Sequence, residues 1–298
     1  MPIINKHFSR WLFVFLVSVA NAKADVITDW NETAVAAGYR AKQTLVPFTR
    51  NVAMVQVAMF EAVNAITPRY KPYKLSLNPP AETSPEIAAA TAAHSILTQL
   101  YPDQANNFSA RYDEYINAVS NSAAKQNGIA FGNLVAAEMI KLRTGDGVDV
   151  TETYQPATKA GVYIPTVIPL GSTCSIVTPW ALKSVSQFRP SAPYRLSSEQ
   201  YARDLNEVQA MGGKKSTKRS EEQTTIAKFW EYTGPGTYSP IARKWAAVAK
   251  LDLVDSARLF ALFAMATADA YLAVFDAKYE YNFWRPITAI RNGADDGN

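Results

Sequence analysis

One helical pattern near the C-terminus constrains this chain more than any other feature. From Asp255 to about Tyr281 the run DSARLFALFAMATADAYLAVFDAKYEY reads as a single long helix that leads into Arg285-Pro286. The other regular segments are helical too. Arg50–Ile66 carries apolar residues at Val52, Val55, Met59, Val63 and Ile66, a stripe at helical spacing. Asn31–Thr44 forms the first helix, capped by Asp29 or Asn31. Ser84-Pro85-Glu86 opens a third, whose alanine run predicts close helix–helix approach. Further helices are expected from Asp103, from Ala123 to Leu142, after Ser197/Ser198, from Ser220 and from Ser239-Pro240. No alternating strand pattern of any length appears. The chain is therefore expected to be all-α, with about nine helices.

Between Gly145 and Leu196 the pattern breaks. Pro156, Pro165, Pro169, Pro179, Pro190 and Pro193 forbid long helices, and Tyr154, Tyr163, Trp180 and Tyr194 are scattered among them. A stretch of this length is either a linker or an ordered excursion over the body. Its aromatics and low charge predict order. The expected organisation is 1–24 as an export signal, 25–145 as an N-terminal helical half, 146–196 as a Pro- and aromatic-rich connection, and 197–298 as a C-terminal helical half.

The signal reading rests on a basic start (Lys6, His7, Arg10), the apolar run Trp11–Ala20 and small residues up to Ala24. It predicts a periplasmic or secreted protein. The apolar run is too short to span a bilayer, and no later run of eighteen uncharged apolar residues exists, so no membrane span is expected. Removal of Lys6, Arg10 and Lys23 lowers the net charge from +4 by three, to +1. That argues against a nucleic-acid or membrane-surface partner. The basic cluster Lys214, Lys215, Lys218 and Arg219 is offset by Glu221 and Glu222 and reads as a solvated loop. Gly145 and Gly147 lack a phosphate-loop pattern and read as a helix end and turn. Cys174 is the one cysteine, so no disulfide and no cysteine metal site forms within the chain. Of two histidines, His7 falls in the signal, and His94 reads as a hydrogen-bonded residue of a helical bundle.

The chemistry lies at Lys278 and Arg285. Seven residues make close to two helical turns, which would put both cations on one face, although Pro286 pushes Arg285 out of helical geometry. Arg285 is placed at the helix end, beside Lys278. A lysine point charge next to a guanidinium fork suits a tetrahedral oxyanion such as phosphate or vanadate. The same pair could also serve only to complement the helix dipole. Asp269 and Asp276 are read as ion-pair partners that orient nearby arginines.

Lys278-x6-Arg285-Pro286, set in AKYEYNFWRPITAIR, resembles the first signature of the vanadium-dependent haloperoxidases and the type 2 phosphatidic acid phosphatase (PAP2) superfamily. The bacterial haloperoxidase-like branch is the more similar, through VAMFEAVNAI, LNEVQAMGG and SEEQTTIAKFW. The resemblance implies helical bundles holding vanadate, with halide oxidised by hydrogen peroxide. It implies that Lys278 and Arg285 contact vanadate or phosphate oxygens, that Lys278 further polarises bound peroxide, and that Phe275 walls the halide side. The family also carries a Ser-Gly-His segment and an Arg…His pair whose histidine ligates vanadium. Both lie C-terminal to the Lys/Arg motif, and this sequence has no histidine after His94. The expectation is an N-terminal portion of such a protein, with the second bundle incomplete and no haloperoxidase turnover by these 298 residues alone. The alternatives are part of an exported PAP2-type acid phosphatase acting on phosphate esters, or a non-catalytic helical protein that binds an oxyanion or a partner. An unfinished apolar face would favour oligomers.

Overall fold

A computed structural model describes residues 25–231, 234–295 and 297; the expected signal segment, 1–24, lies outside them. The described residues form ten α-helices: α1 (Val26–Arg40), α2 (Leu45–Ile66), α3 (Pro85–Leu100), α4 (Ala105–Asn117), α5 (Ala123–Arg143), α6 (Glu199–Gly212), α7 (Glu221–Phe229), α8 (Pro235–Ala249), α9 (Leu253–Tyr281) and α10 (Pro286–Arg291). The only pairing of strand type among them is an isolated antiparallel bridge, Val162 with Phe283. The all-α expectation holds. The count rises by one because Pro286 starts α10, at a position where its missing N–H costs nothing. Three starts also differ by four residues or more, among them that of α2, which begins at Leu45, five residues before Arg50. α1 begins earlier than expected because Asp25 accepts the Thr28 N–H, and α8 begins at Pro235, four residues before Ser239.

α2 is the centre of the molecule. The sequence shows one apolar stripe, yet every residue from Asn51 to Asn64 is buried. The helix is enclosed by α9, α3, α1 and α5, as an all-round buried helix must be. Its polar side chains serve the backbone of the chain that follows. Asn64 bonds Arg69 and Tyr70, and the Glu61 carboxylate accepts the N–H groups of Lys74 and Leu75. Burial pushes the Glu61 carboxyl above its ordinary range, against these hydrogen bonds. α3 meets α5 through its alanines, Ala88, Ala89, Ala90, Ala92 and Ala93 being fully enclosed. Gly132 of α5 permits the approach, since a Cβ there would stand 2.5 Å from the Ala88 carbonyl oxygen.

α9 lies along α2 and contributes to the main core, which therefore draws residues from both sides of the 146–196 connection. By length and composition α9 is the one described helix apolar enough to cross a membrane. Here it packs as a core helix, with Asp269 and Asp276 buried. α8 presents Ile241, Trp245 and Val248 to solvent.

The connection has only one short 3-10 turn, 174–176, but it is well tied. Asp269 accepts the N–H groups of Trp180, Ala181 and Leu182 at 2.7 to 2.9 Å. Arg189 grips Asp276 at 2.7 and 2.9 Å. Arg143 donates to the Thr178 carbonyl while paired with Asp146, and its guanidinium lies 4.3 Å from the centre of the Trp180 ring. Glu152 binds the N–H groups of Gly171 and Ser172. The expected order of this segment is thus explained by carboxylates and arginines that stand in for the hydrogen bonds of a helix.

Candidate oxyanion site

Lys278 occupies the last turn of α9. The helix stops at Asn282, which takes a left-handed conformation (φ 47°) and closes the turn by donating to the Lys278 carbonyl. Arg285 is extended (φ −75°, ψ 154°) and caps the N-terminus of α10. This corrects the placing of Arg285 at the end of the long helix. Asn282, Phe283 and Trp284 intervene, and the two cations come from different helices.

The three intervening residues are clamped by the connection. The Tyr163 N–H donates to the Asn282 carbonyl at 2.7 Å, and the Trp284 N–H donates to the Gly161 carbonyl at 3.0 Å. Tyr154 adds a second tie, its hydroxyl donating to the Tyr163 carbonyl and to Asn282 Oδ1. The clamp places the Tyr163 ring near both cations. Lys278 Nζ stands 4.7 Å from the ring centroid, and the Arg285 guanidinium carbon 5.5 Å. Both expected cations thus lie near one ring, that of Tyr163, which is more than a hundred residues upstream and was not singled out from the sequence. No sequence signal distinguishes Tyr163 from Tyr154 or Tyr194.

Lys278 is half-buried among aromatic rings, with Phe275 5.1 Å and Tyr279 4.6 Å from its nitrogen. Arg285 is exposed, so the site opens to solvent on its side. Among the described residues neither cation has an acidic partner within salt-bridge distance. The nearby acids are engaged elsewhere, Asp276 with Arg189 as expected and Asp269 with backbone N–H groups. The second finding corrects the expectation of an arginine partner for Asp269. Burial raises the Tyr163 phenol, but hydrogen bonding from Arg285 and the charge of Lys278 outweigh it and hold it below its ordinary value.

Phe275 separates Lys278 from Gly171, where a Cβ would meet the Phe275 ring at 2.5 Å. Phe275 also lines a small cavity of about 180 Å³ together with Cys174 and Glu152. Cys174 is enclosed there, and burial pushes its thiol up to about 12, which makes it inert. His94 lies far from this site in sequence and in element. It stacks on Tyr112 at 4.5 Å and meets Ser109 at 3.3 Å, and burial lowers its pKa despite Asp113. Arg219 of the basic cluster donates to the Met211 and Gly213 carbonyls and caps the end of α6.

A family description of the VCPO (vanadium chloroperoxidase) second helical-bundle domain matches residues 258–297, the stretch that carries both cations. Over part of its length the chain is similar in sequence to vanadium haloperoxidases. Vanadium chloroperoxidase of Curvularia inaequalis is 37% identical over 107 residues, which are 30% of this chain and 17% of that protein. The chain also superposes on the crystal structure of a bacterial vanadium-dependent iodoperoxidase. There the TM-score is 0.74 at 20% identity, over 92% of this chain and 73% of the other. The all-α fold is shared with that protein.

Proposed function

We propose that Lys278 and Arg285 form the cationic side of a vanadate site, and that this chain is a portion of an enzyme that oxidises halide with hydrogen peroxide. One observation carries the reading. Lys278 of α9 and Arg285 at the start of α10 are held at one tyrosine, and among the described residues no acid lies within salt-bridge distance of either. Such uncompensated positive charge fits the oxygens of a tetrahedral oxyanion. Bound vanadate would supply Lewis acidity toward peroxide. The chain's own residues would do the rest. Arg285 would grip an oxyanion oxygen with its fork from the solvent side. Lys278, shielded by aromatic rings, would place positive charge where negative charge develops. Phe275 would keep water from the lysine on the inner side.

The donor set fits the oxyanion's oxygens, but among the described residues it offers no histidine to bond vanadium, because His94 stacks on Tyr112 and meets Ser109. The purified 298-residue chain is therefore expected to bind orthovanadate weakly and to show no bromide oxidation. Isothermal titration with orthovanadate tests this. Lys278→Ala and Arg285→Ala should each weaken binding by about tenfold or more, as loss of a charge-assisted contact does. Binding that neither substitution disturbs would sink the reading, and bromide turnover by this chain would refute the expected lack of catalysis.

A further inference from the structure

The residue that both cations share is Tyr163. It is 2% exposed, and its ring centroid lies 4.7 Å from Lys278 Nζ and 5.5 Å from the Arg285 guanidinium carbon. Its backbone is fixed at both ends, by the bond from its N–H to Asn282 and the bond to its carbonyl from Tyr154. Its ring is wedged between Tyr154, with centroids 5.6 Å apart, and Tyr279, edge-on at 6.1 Å. A side chain so held does not swing away when an anion arrives.

We propose that Tyr163 is a third ligand of the oxyanion, its hydroxyl donating a hydrogen bond to an oxygen that Lys278 and Arg285 also contact. The inference rests on the vanadate-site reading above. A neutral phenol beside two cations leaves their charge essentially uncancelled. Its rotatable proton can then be donated to an anion oxygen held by those cations. A carboxylate at this position would fill the site permanently, and a phenylalanine would offer no donor. The rival role for the same hydroxyl is that of a placeholder which the anion must displace. The two roles predict opposite changes when the hydroxyl is removed.

The test is orthovanadate titration of the full chain carrying Tyr163→Phe, with unfolding temperature measured alongside. A ligand role predicts affinity about tenfold weaker, the loss expected for a hydrogen bond to a charged partner. If Tyr163→Phe does not fold, site-specific difluorotyrosine at position 163 keeps the shape and makes the phenol more acidic. Vanadate affinity should then fall as pH rises and the fluorinated phenol ionises, with a smaller change over the same range in the unsubstituted chain. Unchanged or tighter binding by Tyr163→Phe, with Lys278→Ala still weakening it, overturns the proposal and leaves the vanadate-site reading standing. Binding insensitive to Lys278→Ala overturns both.

Discussion

At the scale of single residues, charge decides which side chains are free to act. Asp276 is spent on Arg189 and Asp269 on three backbone N–H groups, so neither neutralises Lys278 or Arg285. The positive field therefore falls on Tyr163, and it gives a measurable signature without any ligand. Of the fifteen tyrosines, Tyr163 is expected to ionise below the ordinary tyrosine range, and Lys278→Ala should raise its midpoint. Ultraviolet tyrosinate absorbance against pH, with Tyr163→Phe to assign the transition, checks this. The sign for stability follows from linkage. A group whose folded pKa is depressed adds stability that is fully present above the unfolded value and is lost as pH falls through the folded value. Lys278 and Arg285 were legible as a pair because seven-residue spacing and a following proline are local facts. Tyr163 was not, because its role comes from a bridge between segments distant in sequence.

At the scale of elements, two kinds of contact set the architecture. The α3–α5 seam is built on small residues, and the alanine run of α3 announced it in advance. Its partner glycines did not announce themselves. Gly132 makes room for the Ala88 carbonyl and for Thr91 Cβ, which would stand 2.6 Å from an added Cβ. Gly132→Val is expected to destabilise the fold by about 2 kcal/mol, the range of overpacking in a close seam. Urea denaturation, with the midpoint falling at unchanged slope, is the check. The break between α9 and α10 is the second kind. Pro286 excludes its neighbour from helical geometry, which the sequence conveys, but the direction of the turn is set by Asn282 in its left-handed conformation and by the strand-like bridge to Gly161–Tyr163. One continuous helix would fix Lys278 and Arg285 on a cylinder. The break lets them approach one ring from different elements.

At the scale of the whole molecule, the 146–196 connection is what brings Tyr163 to Lys278 and Arg285. It returns across α9, and Asp269 is the clip that holds it there. Removing that carboxylate leaves three N–H groups without their charged acceptor at a position only 4% exposed. Asp269→Ala is expected to cost on the order of 3 kcal/mol or more. Because the connection carries Tyr163, the same substitution should also reduce vanadate affinity. Thermal unfolding and vanadate titration on one preparation would show both losses together, and a stability loss with intact affinity would show that the clip and the site are independent. The sequence by itself determined that this protein is helical, where most helices start and stop, and that a proline, Pro286, interrupts the chain after Lys278. Those properties follow from capping, periodicity and proline, all of which act within a few residues. Only the tertiary structure decided that α2 is buried on every face, that Asp269 serves backbone N–H groups in place of an arginine, and that Tyr163 lies beside both cations. Each of these depends on which distant backbone groups are brought near a given side chain, and that is fixed by packing, not by local pattern.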